Sequence, residues 1–146
     1  EALMAAELLR GLSGDAVDTN VISALNMWHI LPVLEAAGVA VDKQDWLDLV
    51  KNAPVSGQGF GSLPPLLLKA VTAAAAARHV AETVLLANWL LHDVALEETN
   101  PADLAAVIHA LDMIGQGDVA KAFAHEIIAA HLMRRLAAMI PDGIQS

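Results

Sequence analysis

Two stretches of helical periodicity meet at Gly115-Gln116-Gly117, and the shortness of that link constrains the chain more than any other feature. The first stretch opens Asn100-Pro101-Ala102-Asp103. It supplies a capping side chain, a proline where the first-turn amide needs no partner, and an acid at the positive end of the helix dipole. Leu104, Val107, Ile108, Leu111 and Ile114 then recur at the spacing that gathers side chains on one helical face. The second stretch starts at Asp118 and runs through Val119, Phe123, Ile127 and Ile128 towards Leu136. So few linking residues turn the second helix back along the first, which predicts an antiparallel αα-hairpin.

Composition extends this reading to the whole chain. Its 146 residues suffice for one domain, which buries roughly two-thirds of the unfolded surface. About a fifth of the residues are alanine, so the mean hydropathy of +0.51 comes largely from small side chains. Small residues let helices approach closely, and Ala and Leu are strong helix formers. No stretch alternates β-branched residues, so strands are not expected. The expected fold is all-α, with about seven helices stacked as antiparallel hairpins in an α-solenoid-like or irregular bundle.

Several classes of function are disfavoured. A net charge of −9 opposes attraction to nucleic-acid phosphates, and Arg134-Arg135 is the one local basic cluster. The same acidity suits a basic protein partner. The most apolar stretch, Val80 to Leu96, is interrupted by Glu82, Asn88, His92 and Asp93, which argues against a spanning helix of about 20 apolar residues. Without cysteine there is no disulfide, thiolate nucleophile or cysteine-built zinc site. No cofactor is expected. The chain opens with Glu1 already in helical rhythm at Leu3, Met4, Leu8 and Leu9, which suggests the C-terminal part of a longer protein.

Along the chain, helices are expected from Ala2 to Leu12 and from Asp15 through Val21, Leu25 and Trp28 until Pro32 interrupts. Leu31 to Ala37 remains helical with Gly38 as its C-cap, and Asp42 starts a short helix around Trp46 and Leu47. A glycine-rich loop over 52–61 then joins subdomains 1–51 and 62–140. Ser62 and Pro64 restart a helix reaching about Ala77, with a turn at Arg78-His79. The following helix, to about Leu96, is apolar nearly all round and is expected at the centre of the domain.

Placing Pro65 over Pro101 sets Leu68 on Leu104 and Val71 on Val107. A slightly longer later turn sets Val80 on Val119 and Val84 on Phe123, a period of about 36–39 residues. The unit from Leu104 to Gly115, followed by Ala120, Ala122, Ala124 and Ile127, resembles tetratricopeptide-like and other α-solenoid hairpins. It lacks the Trp, Tyr and closing Pro positions of the tetratricopeptide pattern. The resemblance implies an interaction scaffold and carries over no catalytic residue.

Three polar constellations invite a chemical reading beside that scaffold. His125-Glu126 and His131 approximate a zinc-binding HExxH helix, but a spacing of six turns the rings about 240° apart, so both read as partly exposed helix histidines. His109 and Asp112 can meet at i, i+3, yet no serine lies in a nucleophile elbow. His92-Asp93 with Glu97-Glu98 reads as a solvated acidic corner. Neither a catalytic nor a metal site emerges. The residues singled out as candidate partner or ligand contacts are Phe60 and Gln58 of the glycine-rich loop, with Trp89, His92 and His109. Phe60, flanked by glycines, either swings out as an anchor or folds down as a plug. The expected function is a non-catalytic protein-interaction or scaffold domain binding a protein partner or a second copy of itself. A helical carrier for an apolar ligand and an α-helical enzyme are the alternatives.

Overall fold

The protein is described by a computed structural model covering residues 28–39, 44, 46, 47, 51 and 60–138. These residues are 79 % helical and contain no strand, so the fold is all-α over the described part. Trp28–Ile30 forms a 3-10 turn leading into α1 (Leu31–Ala36). Then follow α2 (Pro65–Ala76), α3 (Val80–Leu91), a 3-10 turn at Leu96–Glu98, α4 (Pro101–Met113) and α5 (Gly117–Ala138). Gln44, Trp46, Leu47 and Lys51 are also helical. The expected helices before Trp28 and the Asp42 cap lie outside the described residues.

Local chemistry sets the helix ends. The Asn100 side chain accepts the Ala102 amide at 3.0 Å with Pro101 in the first turn, as its sequence predicts. Three helices close with the same pair of carbonyl-capping bonds. After α4, Gly115 N–H donates to the Asp112 carbonyl and Gln116 N–H to that of Leu111. After α1, Gly38 and Val39 donate to Glu35 and Leu34. After α2, Arg78 and His79 donate to Ala75 and Ala74. This arrangement requires a left-handed residue. Gly38 at φ 87° and Gly115 at φ 81° supply it freely, whereas Arg78 adopts φ 61° with a full side chain.

Two boundaries differ from expectation. Ser62 does not cap α2; the helix begins at Pro65 behind Pro64, and no side chain caps it. The following helix ends at Leu91 and not Leu96, because Asp93 turns left-handed at φ 57° and the chain re-forms as the 3-10 turn.

The centre of the domain also differs. Helix α4 packs against α1, α2, α3 and α5, and buries Pro101, Leu104, Ala105, Val107, Ile108, Ala110 and Leu111. Helix α3, expected at the centre, buries only Thr83, Ala87 and Leu90 and leaves Leu85 and Trp89 69 % and 67 % exposed. Its burying stripe follows i, i+4, i+7, so one flank alone meets the core. Hydrophobicity all round a helix does not say which neighbours are present to cover it.

Helix α5 buries Ala120, Ala124, Ile127, Ile128, His131 and Leu132 along one stripe, and α2 buries Val71, Ala74 and Ala75. Leu31, Val33 and Leu34 of α1 join the same core. A two-bond bridge ties Gly61 beside the start of α4: Gly61 N–H donates to the Glu98 carbonyl at 2.7 Å, and Asn100 N–H to the Gly61 carbonyl at 2.8 Å.

Candidate functional site

Both α3 and α5 lie against α4, and between them runs a groove of about 360 Å³. Val84, Ala87, Asn88 and Leu91 line it from α3, at the i, i+3, i+4, i+7 spacing of one helical face. Val119, Ala122, Phe123 and Glu126 line it from α5 by the same rule. The buried side chains of Ala87 and Leu111, together with Gln116, complete its lining. Alanines at 87 and 122 leave room where larger residues would have filled the space between the helices. The walls reach solvent: Val119 is 52 % exposed, and Asn88, Ala122 and Glu126 are exposed. Glu126 is the one charged residue of the lining, and no basic residue belongs to it.

Leu85 and Trp89 are exposed on another face of α3: at 3.6 residues per turn they lie about 110° and about 150° round the helix from the middle of the groove-lining set. Exposed tryptophan is unusual for a residue with so much apolar area to hide. Trp89 is therefore exposed but not part of the groove.

The other candidates fall elsewhere. Gln58 lies outside the described residues. His109 is exposed on α4 and makes no hydrogen bond or ion pair with Asp112. His92 is exposed, with Nε2 3.3 Å from Asp93 Oδ2, an exposed pair of adjacent residues. Phe60 is half-buried against two imidazoles, its centroid 5.2 Å from that of His29 and 5.4 Å from that of His131. The Arg134 guanidinium lies 5.9 Å from the Phe60 ring centre, while its Nη1 donates to the Glu97 carbonyl at 2.6 Å.

His131 corrects the sequence reading, which placed it on the surface with His125. His125 is exposed, but His131 is only 3 % exposed and its Nε2 has no hydrogen-bond partner. The signal was present in the spacing: His131 follows Ile127 by four and Ile128 by three, and so continues the buried stripe of α5. Burial lowers the pKa of both clustered imidazoles. His29 falls to about 4 through desolvation first, then the neighbouring His131, Arg134 and Arg135. His131 is lowered chiefly by desolvation, opposed by its hydrogen bond to the Leu96 backbone and by Glu97. Both rings are neutral at pH 7.

No group of three or more metal-binding side chains occurs among the described residues, and no described helix is long and apolar enough to cross a membrane. Over the described residues, fold and site define an all-α arrangement with an apolar surface groove between two helices. Comparison of the chain with known protein families, curated proteins and solved structures finds no match in any of the three.

Proposed function

We propose that this domain is a non-catalytic protein-interaction module, and that the groove between α3 and α5 receives the apolar face of a partner helix carrying basic residues. The groove itself carries the reading: an open, largely apolar channel of about 360 Å³ whose walls at Val119 and Ala122 reach solvent. Grooves of this kind take helices whose anchors recur at i, i+3, i+4 and i+7. A partner with lysine or arginine on its polar face suits a chain of net charge −9 and a lining whose one charge is Glu126.

A repeated plan supports the same reading. Pro65 and Pro101 both open helices, and both helices close with the same carbonyl-capping bonds and a three-residue link. Val84 and Phe123 both line the groove, but the equal links set Val80 over Gly117 and not over Val119, so the second helices share the plan without the residue register of the proposed repeat. Two helical hairpins, α2–α3 and α4–α5, then stack through α2 and α4 and splay at α3 and α5. Solenoid hairpins build binding surfaces in this way.

The apolar-ligand carrier is the second reading, favoured by a volume inside the range of small-molecule sites. Walls as open as Val119 and Ala122 suit a helix better than a ligand that must leave water. The test uses two designed 18-residue helical peptides with the same leucine face, one with lysine and one with glutamate on the other face. In titration calorimetry the lysine peptide should bind saturably, the glutamate peptide should bind at least tenfold more weakly, and Ala122→Trp should abolish binding by filling the channel. Equal affinity for both peptides, or binding unaffected by Ala122→Trp, overturns the proposal.

A further inference from the structure

Three segments distant in sequence meet in one triangle of rings. His29 comes from the turn before α1, Phe60 from just before the Gly61 bridge, and His131 from α5. The three centroid separations are 5.2, 5.2 and 5.4 Å. The buried Nε2 of His131 has no partner, although an imidazole nitrogen in a packed interior normally finds one. What surrounds the rings is mostly positive. Arg134 and Arg135 of α5 face His29, which also faces His131; Arg134 faces His131, and Glu97 of the second 3-10 turn is the acid set against it. A proton on either ring is therefore placed beside a second imidazole and one or two guanidinium groups in a partly buried site, opposed on His131 by the Leu96 carbonyl and Glu97.

We propose that the His29–Phe60–His131 triangle is an acid-released clasp: protonation of its imidazoles parts α5 from the turn before α1 and frees Phe60 together with the Gly61 bridge. Neutral, the rings pack edge and face as aromatics do, and they hold the three segments together. Charged, they repel each other and the arginines, and water must enter. The bridge is the first element to loosen, because Gly61 directly follows Phe60 and only two backbone bonds hold it to Glu98 and Asn100. The pKa of about 4 for His29, against an ordinary 6.5, agrees with this geometry. It sets the working range between those two values, where the open form takes up protons that the closed form refuses.

The test is amide exchange of Gly61 and Asn100, the two donors of the bridge, across pH 7 to 4.5. Their protection, corrected for the intrinsic pH dependence of exchange, should fall at least tenfold between pH 7 and pH 5. The double variant His29→Phe, His131→Phe keeps the ring packing without a titrating group, and should hold its protection over that interval. Replacing the exposed His79, His92, His109 and His125 together by Gln should leave the response unchanged. Loss of the response in that quadruple variant, or its persistence in the double variant, overturns the proposal. Should the double variant not fold, imidazole proton shifts of the unaltered protein decide. His29 should titrate well below 6.5 and His131 below it, and titration of either at or above 6.5 with the bridge still protected refutes the clasp.

Discussion

The Asp103 carboxylate accepts the backbone amide of Leu63 at 3.0 Å, across forty residues of chain. Asp103 stands in the first turn of α4, where its charge also faces the positive end of the helix dipole. One side chain therefore serves two ends: it favours the start of the central helix and pins the segment that leads into α2. Together with the Gly61 bridge, it holds the approach to α2 against the start of α4.

Asp103→Ala should cost about 1.5–3 kcal/mol, the range for a hydrogen bond to a charged group. Asp103→Asn keeps an acceptor and should recover part of that loss. Urea unfolding of the three proteins measures both. A loss below about 0.5 kcal/mol for Asp103→Ala would show that the bond to Leu63 is not maintained in solution.

Arg78 pays for its left-handed backbone at φ 61° but donates Nη1 to the Met113 carbonyl at 3.1 Å, at the C-terminal end of α4. Alanine there keeps the strain and loses the bond, whereas glycine loses both. Arg78→Gly should therefore be more stable than Arg78→Ala by about 1–2 kcal/mol, the cost of a left-handed conformation with a Cβ. Thermal unfolding of the pair reads the difference. Equal stabilities would mean that the turn after α2 does not require that conformation.

Helix α4, not α3, occupies the middle, and truncation should show it. Ile108→Ala, at a fully buried site on α4, should cost about 2–5 kcal/mol. Leu85→Ala, at an exposed site on α3, should change stability by less than about 0.5 kcal/mol. A larger loss from Leu85→Ala than from Ile108→Ala, measured by denaturant unfolding, would return α3 to the centre.

The sign of the pH effect follows from His29. Its pKa in the folded chain, about 4, lies below the unfolded value near 6.5, so the unfolded chain binds the proton more readily. The stability associated with the neutral ring is fully present above pH 6.5. It declines as pH falls from there and levels off below about 4. Lowered by the same cause, His131 acts in the same direction. Relative to His29→Phe, the unaltered protein should lose more unfolding free energy between pH 7 and pH 5, measured in urea at both values. Parallel losses would remove His29 from the acid response.

Signals confined to a few neighbouring residues were legible in the linear chain. Asn100-Pro101 starts a helix because one side chain and one ring satisfy that position locally, and Gly115 and Gly38 end helices because each supplies the required backbone conformation. Arg78 does the same without a local signal, since arginine carries no such preference, although the sequence around it predicts a turn. Among the candidates, Phe60 was placed in a loop whose glycines left its direction open. Its half-buried position came from rings 31 residues before and 71 residues after it.

Helicity, helix ends and the absence of cysteine chemistry follow from the residues themselves, because their causes act within about one turn of backbone. Which helix is central, where two helices part to leave a groove, and that His131 is buried against His29 depend on partners far along the chain. Periodicity names the face a helix offers; only packing chooses what, if anything, meets it.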